Sequence, residues 1–457
     1  MTDSKKPQTK GGLTRRSVLG LGGIGAGAIA LGVGNYYANK YAPVINTYLG
    51  QKSYEVKDGG AGAEDSVYFK ASYSSESERL AADASIAKEV AQEGFVLLKN
   101  DGALPMAEGR VTLLGVSSAD ILYGGGGSGA VDSSTAPTLK SALEASGFEV
   151  NPTMWSFYTE GAGSSIRMDV ADIAGTGRYV IHEASPDLFT DTETASLGDY
   201  SDAAIVVFAR SGSESSDVPR AYDESYLQDV DIKGYTGTVH SSRLDSDDDL
   251  GRHYLELTSN EEALLEYASQ HFGRVIVLIN SGNAMELSFL DSSRFNVDAC
   301  LWIGNPGQDG LHAVGDILTG AVNPSGKTVD TYARNSLSAP ALMNFGSNII
   351  AGTDNAPFVV YQEGIYVGYK YYETRYEDCV LGQGNADSAV GASDTADKWS
   401  YGSEVQFPFG FGLSYTSFEQ VLSGSAQKDD TVTLTVKVTN TGSLAGKDVV
   451  EVYGQSP

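Results

Sequence analysis

Cysteine is nearly absent: Cys300 and Cys379 are the only two in 457 residues. So few thiols, with no metal-ligand spacing around them, exclude a disulfide scaffold and a thiolate metal site. Cys300 lies in the apolar run Ala299-Cys300-Leu301-Trp302-Ile303 and reads as a small buried hydrophobe. Cys379 follows Glu377 and Asp378, and no bridge between the two is expected. Histidine is also scarce, with five in the chain. None of His240, His253, His271 or His312 accompanies a Gly-x-Ser-x-Gly elbow, so Ser-His-Asp catalysis is poorly supported. Positive charge is short as well: 31 Lys and Arg stand against 59 Asp and Glu, a net charge of −28. That balance excludes nucleic acid as a partner, because a phosphate backbone needs clustered Lys and Arg. The acidity either serves solubility outside the cell or carries no functional message.

What is present is enough for a sizeable core. Apolar residues make up 41% of the chain, which rules out global disorder, and the length predicts about two to three domains. The N-terminus reads as a targeting segment over residues 1–41. Lys5, Lys6 and Lys10 precede Thr14-Arg15-Arg16-Ser17-Val18-Leu19, and a charge-free stretch runs on to Gly34. The Arg pair and the Gly-rich, weakly apolar core suit a twin-arginine export signal, and the stretch is also just long enough to span a membrane. Cleaved or retained as an anchor, it puts the rest of the chain across the membrane from the cytoplasm. Residues 42–75 form a polar lead-in.

From Glu76 to Ala91 the pattern turns helical, with Leu80, Ala84, Ala87 and Ala91 on one face and Val90 beside them. A repeated unit follows: an apolar run, a Gly/Ser loop and often a helix. Val111–Val116 leads into Gly124–Gly129 and a helix over Thr138–Ser146. Ala203–Ala209 leads into Ser211-Gly212-Ser213-Glu214. Val275–Asn280 leads into Ser281-Gly282-Asn283, and Ala299–Ile303 leads into Gly304-Asn305-Pro306-Gly307-Gln308 and a helix over His312–Leu318. Continuous apolar strands alternating with helices predict an α/β fold, a mostly parallel sheet with helices on both faces. In such sheets ligands bind beyond the carboxyl ends of the strands, where all four loops lie.

Two polar segments, Asp231–Arg252 and Gly382–Lys398, read as exposed insertions. The Gly124–Gly129 loop invites a phosphate-binding reading, but it lacks the Lys and Ser/Thr of a P-loop. A tight turn packed beside a ligand site is the better expectation. Near the end, Val432, Leu434, Val436 and Val438 alternate with Thr433, Thr435, Lys437 and Thr439, which predicts a half-buried strand. Asn440-Thr441-Gly442 makes a turn and Val449–Tyr453 starts another strand. Two strands fall short of the roughly seven of a β-sandwich, so the chain is expected to stop inside a domain.

Several phrases in order resemble glycoside hydrolase family three, specifically its α/β sandwich domain. They are Glu93-Gly94-Phe95-Val96-Leu97-Leu98-Lys99-Asn100, Tyr254-Leu255-Glu256-Leu257 with Glu261, and Asn305-Pro306-Gly307-Gln308-Asp309-Gly310. Tyr361-Gln362-Glu363-Gly364 and Phe407-Pro408-Phe409-Gly410-Phe411-Gly412 close the series. The tail from Val438 resembles the start of the fibronectin type III-like module common in that family. The resemblance implies a sandwich domain over 76–422 and a partial fibronectin type III-like domain over 423–457. No (β/α)8 barrel precedes the sandwich, so the chain resembles the permuted members, whose barrel would follow Pro457.

The resemblance implies hydrolysis of β-glucosides by a retaining mechanism, with two carboxyl groups about 5 Å apart and no metal or cofactor. The nucleophilic Asp belongs to the barrel, so this chain alone is expected to be inactive. The acid/base Glu comes from the sandwich domain. The family pattern of Arg, Gly-Glu-Gly, Asp and Pro is met by Arg210, Glu214, Asp217 and Pro219, with Ser213 and Ser215 where Gly is usual. Glu214 is thus the candidate catalytic residue, with Asp217 and Glu224 as nearby rivals. Arg210 and Asp217 are candidate substrate-binding residues, and Arg210 is also a candidate for orienting the loop. A non-catalytic carbohydrate-binding or scaffolding module is the alternative function.

Overall fold

The computed structural model describes residues 72–167, 181–212, 249, 252, 254–344, 348–349, 357–358, 361, 363–382 and 399–454. The chain divides into two units, Met1–Ser74 and Ser75–Pro457, and the account below concerns the second. The segment over residues 1–41 expected to act in targeting lies outside the described residues. So do Glu214, Asp217 and Glu224. No helix among the described residues is long and apolar enough to cross a membrane.

The core is a six-stranded sheet made of β1 (Val96–Asn100), β2 (Arg110–Leu114), β3 (Glu149–Val150), β4 (Ala203–Arg210), β5 (Val275–Ser281) and β6 (Ala299–Trp302). Its order across the sheet is β1-β6-β5-β4-β2-β3. All neighbours pair parallel except β1, which runs antiparallel to β6 at the edge. The mostly parallel α/β sheet read from the sequence is therefore the architecture found. The antiparallel edge strand is an addition, and a short apolar run gives no sign of its direction.

Every residue of β4 and β5 is buried. That follows from helices covering both faces. Flanking the sheet are α1 (Glu76–Gly94), α2 (Leu139–Ala145), α3 (Pro152–Thr159), α4 (Asp191–Ser196), α5 (Ser259–His271) and α6 (His312–Thr319). On one face Leu114, Val206, Phe208, Val277 and Ile279 pack with Met154 and Phe157 of α3 and Leu264 and Leu265 of α5. On the other, Val111, Leu113, Ile205, Val207 and Leu278 pack with Leu143 of α2 and Val314 and Ile317 of α6. Each such side chain adds about 1.5–3 kcal/mol by leaving water.

The helix starts are chemically marked. Thr138 Oγ1 accepts from Ser141 N at the start of α2. Thr258 and Glu261 form a reciprocal capping box at α5. Helix α1 forms as expected, but its predicted apolar face is mostly open. Ala91 is buried, whereas Leu80 and Val90 are 53% and 65% exposed. Its C-terminal part is held on α6 by polar contacts instead, from Lys88 Nζ and Gln92 Nε2 to Asp316 Oδ2 at 2.7 Å each.

Beyond the sheet come β7 (Tyr332–Ala333), β8 (Asn348–Ile349), β9 (Pro357–Phe358), α7 (Tyr369–Tyr376) and β10 (Val405–Phe407). Tyr371 and Tyr372 of α7 are buried, while Tyr366 is 47% exposed. The tail is an antiparallel hairpin of β11 (Phe418–Lys428) and β12 (Thr431–Asn440). Strand β11 crosses the expected boundary at residue 422. The second strand expected at Val449–Tyr453 does not form; β12 takes β11 as its partner instead. The half-burial expected of β12 also fails, with Val432 at 62% and Val438 at 42% exposure, because no described layer covers the hairpin.

Neither cysteine forms a disulfide; Cys300 is buried and Cys379 partly so. The acidic insertion Asp231–Arg252 lies largely outside the described residues, yet one of its members departs from the expected exposure. Asp249 is 2% exposed, and its Oδ1 accepts from Ser259 N and Oγ at 3.0 and 2.5 Å at the start of α5.

Candidate active site

Leaving β1 aside, the five parallel strands lie in the order β3-β2-β4-β5-β6. The first and third of these in sequence, β2 and β4, are therefore neighbours whose chains depart to opposite sides. Such a switch point opens a crevice at the carboxyl ends of the two strands, where ligands of open α/β sheets bind. The loop after β4 begins Ser211-Gly212 and leads to Glu214. The loop after β2 carries Gly124–Gly129. The topology thus sets the Gly-rich loop and the stem of the Glu214 loop side by side, and Gly126 N donates to Gly212 O at 3.3 Å.

The close approach explains the glycines. A Cβ at Gly124 would lie 2.5 Å from Gly129 O and 2.6 Å from the Val131 side chain. Gly115, which ends β2, has φ +94°, and a Cβ there would meet Val207 O at 2.7 Å. The Gly124–Gly129 loop ends in a short 3-10 turn (Gly127–Gly129), and the next α-helix does not start until Leu139. The loop therefore presents no helix N-terminus to a phosphate, and the tight-turn expectation describes it.

Arg210 is the last residue of β4 and is fully buried. Its guanidinium pairs two-pronged with Glu261, Nη1 to Oε1 at 2.7 Å and Nη2 to Oε2 at 2.8 Å. Nε donates to Tyr254 O at 2.6 Å, Nη1 also to Ala209 O at 2.8 Å, and Nη2 also to Glu256 O. Those contacts engage all five N–H donors of an arginine. These bonds tie the Arg210 guanidinium to Tyr254, Glu256 and Glu261 at the point where the chain leaves β4. Tyr254 finishes the clamp: its hydroxyl accepts from Ser211 N at 2.6 Å and donates to Ser211 O at 3.0 Å. The stem of the Glu214 loop is thus fixed on both sides of the Arg210–Ser211 peptide.

Glu183 lies buried beneath the same crevice. Its carboxylate accepts from Val116 N at 3.1 Å and from Ala184 N at 2.8 Å. Burial lifts its pKa from 4.5 to about 8, and the charge of Glu261 adds to the rise. The Val116 and Ala184 amides and Arg210 pull it back only in part. Asn280 at the end of β5 ties three strand ends together. Its Oδ1 accepts from Leu122 N at 2.7 Å, and its Nδ2 donates to Leu122 O at 3.0 Å and Gly304 O at 2.6 Å.

Sequence reasoning passed over Glu183 and Asn280. It quoted Tyr254 and Glu261 without giving them roles, although Thr258-x-x-Glu261 is a capping-box signature that marks Glu261 as fixed in place. Among the described residues no cluster of His, Cys, Asp and Glu is arranged to hold a metal ion.

Residues 95–369 match the model of the glycosyl hydrolase family 3 C-terminal domain. A beta-glucosidase of Ruminococcus albus is 30% identical over 374 residues, 81% of this chain and 32% of that protein. Beta-glucosidase A of Butyrivibrio fibrisolvens is 29% identical over 393 residues, 81% of this chain and 41% of that protein. In structure, beta-glucosidase 3B of Thermotoga neapolitana in complex with alpha-D-glucose is similar with a TM-score of 0.57 at 27% identity, over 80% of this chain and 42% of that one. The chain spans about 32% to 42% of the length of these relatives. With the matched domain taking up more than half of its residues and the sheet topology agreeing, the chain belongs to glycosyl hydrolase family 3.

Proposed function

We propose that this chain supplies the acid/base half of a β-glucosidase site that works with retention. The observation that carries the reading is the fixed stem Arg210-Ser211-Gly212 at the β2/β4 switch point, which leads directly to Glu214. The names of the relatives, beta-glucosidases throughout, supply the substrate class. In the first step the Glu214 carboxyl donates its proton to the glycosidic oxygen as the bond from that oxygen to the anomeric carbon breaks. The nucleophile, an Asp from a (β/α)8 barrel outside these residues, forms the new bond to that carbon. In the second step the Glu214 carboxylate takes a proton from water, whose oxygen displaces the Asp. Asp217, on the same loop, contacts the sugar. Residues 1–41 export or anchor the domain, a reading carried by Arg15-Arg16 and the charge-free stretch after them. Fusing those residues to a reporter that folds before export checks it: retention of the reporter in the cytoplasm contradicts the assignment.

The experiment for the site is Glu214→Gln in the whole enzyme that contains this domain. Hydrolysis of alkyl glucosides, whose departing alcohol oxygen needs protonation, falls about 10²–10⁴-fold, the range of a lost general acid. Added azide, which needs no base to attack the glycosyl-enzyme, restores turnover of an activated aryl glucoside. Unchanged alkyl-glucoside turnover in the Gln variant removes Glu214 from the role.

A further inference from the structure

Strand β4 stops pairing with β5 at Arg210, opposite Ser281, so the backbone of Ser211 has left the ladder. Ser211 is nonetheless only 2% exposed, and its N–H and C=O need other partners. The Tyr254 hydroxyl serves both: it accepts from Ser211 N at 2.6 Å and donates to Ser211 O at 3.0 Å. One side-chain oxygen thus holds the two peptide planes that flank Ser211. Tyr254 is itself fully buried, and its carbonyl accepts from Arg210 Nε at 2.6 Å. The three residues therefore close a ring. Arg210 holds the tyrosine by its backbone, and the tyrosine holds Ser211 by its hydroxyl.

The ring is anchored from outside. Glu261 takes both prongs of the Arg210 guanidinium, and its Oε2 also accepts from Thr258 N at 2.8 Å in the capping box of α5. On the other side Gly212 O accepts from Gly126 N, and a Cβ at Gly212 would lie 3.1 Å from Asn283 Nδ2. The chain is thus still confined one residue past Ser211. Ending a strand requires much less, because a strand end can leave its peptide groups to water. Burying an ion pair and a phenol around one peptide costs desolvation and side-chain freedom. Such rigidity matters where a group a few residues on must stand within about 0.5 Å of a productive position. Glu214 follows Ser211 by three residues.

We propose that Tyr254 is a positioning residue for proton transfer at the β2/β4 crevice, acting through the Ser211 peptide with Glu261 as its outer anchor. This role rests on the reading of the β4 loop as the bearer of the acid/base group. The tyrosine hydroxyl sets where that group stands and does not itself touch the substrate. Without the hydroxyl the ring and its packing stay, but Ser211 is released. The acid then meets the leaving oxygen less often in the right geometry, while sugar binding is little changed.

The test is Tyr254→Phe in the whole enzyme that contains this domain. kcat/KM is read on an alkyl glucoside and on an activated aryl glucoside, whose leaving group needs no proton. The alkyl value falls about 10- to 100-fold, the scale of a misplacement of about 1 Å, and the aryl value stays within about twofold. Tyr415→Phe controls for mere destabilisation. It removes another tyrosine hydroxyl, one that donates to Ile317 O at 2.8 Å, and leaves the alkyl-to-aryl ratio as in the wild type. Glu261→Gln loosens Arg210 and keeps the Tyr254 hydroxyl; it shifts the ratio the same way by less, and takes over as the test if Tyr254→Phe does not fold. A wild-type ratio in Tyr254→Phe, or in Glu261→Gln where that variant takes over, with folding verified by urea unfolding, overturns the proposal. So does an equal loss in Tyr415→Phe. The two readings fail separately. A wild-type ratio in Tyr254→Phe beside a lost one in Glu214→Gln removes Tyr254 and leaves Glu214 as the acid. A lost ratio in Tyr254→Phe beside a wild-type one in Glu214→Gln keeps the positioning role and moves the acid to another carboxyl of the loop.

Discussion

Strands β4 and β12 draw on similar β-forming residues, Ala-Ala-Ile-Val-Val-Phe-Ala-Arg in one and Thr-Val-Thr-Leu-Thr-Val-Lys-Val-Thr-Asn in the other. Every position of β4 is buried, and most positions of β12 are exposed. The pattern accounts for the difference. A continuous apolar run needs cover on both faces, and helices α3 and α5 on one side and α2 and α6 on the other provide it. Alternation needs cover on one face only, and the β11–β12 hairpin has none among the described residues. Burial also decides what a polar group costs: Arg210 at the end of β4 is tolerated inside because Glu261 and three carbonyls engage it, whereas Lys437 on β12 needs no such arrangement.

Substitutions in the two regions should therefore differ sharply. The largest effect belongs to Glu261→Ala, which strands the Arg210 charge inside the protein and should remove about 3–5 kcal/mol from stability in urea unfolding. A loss under about 1 kcal/mol would show that the pair is wetter than its geometry implies. Leu278→Ala, in the middle of β5, should cost about 2–5 kcal/mol by leaving a cavity, read as a lower urea midpoint.

The third prediction concerns pH. Glu183 has a folded pKa of about 8 against an ordinary 4.5, so the folded chain holds a proton that the unfolded chain releases. Stability from this group is complete below 4.5 and is lost as pH climbs through about 8. Unfolding followed at about pH 5 and about pH 8 should show the wild type weaker at the higher pH by a few kcal/mol, and Glu183→Gln should flatten that slope. A slope of the same size in the variant would assign the effect elsewhere. The smallest effect is expected in the hairpin, where Val432→Thr should stay within about 0.5 kcal/mol of wild type. A larger loss would show that another layer covers β12.

The sequence was most legible where burial was two-sided. The apolar runs at 111–116, 203–209, 275–280 and 299–303 are β2, β4, β5 and β6 to within two residues at either end. Helices α2 and α6 were legible from apolar spacing, and α1 from Leu80, Ala84, Ala87 and Ala91. The burial of α1 was not, because only its last part meets a neighbour. The candidate site was legible as a place, the strand-end loops, and not as a mechanism of support. Arg210 reads equally as a surface cation or a buried clamp until Glu261, 51 positions later, is brought next to it. Glu183 and Asn280 have no local signature, since Val116, Leu122 and Gly304, to which they bond, are distant in sequence. Two strands of the sheet were missed: β1, whose run is too short to reveal its direction, and β3, which is only two residues long.

The edge of the sheet at β1 has one more consequence. Leu413, from the Phe-Pro-Phe-Gly phrase, forms a bridge to Leu97, its N–H donating to Leu97 O at 2.8 Å. At the opposite edge β3 is only two residues long. Open strand edges are where one protein molecule recruits another into aggregates. Here one border of the six-stranded sheet is partly occupied by the chain's own return and the other is too short to serve as a template, so among the described residues neither border of this sheet invites another copy to extend it.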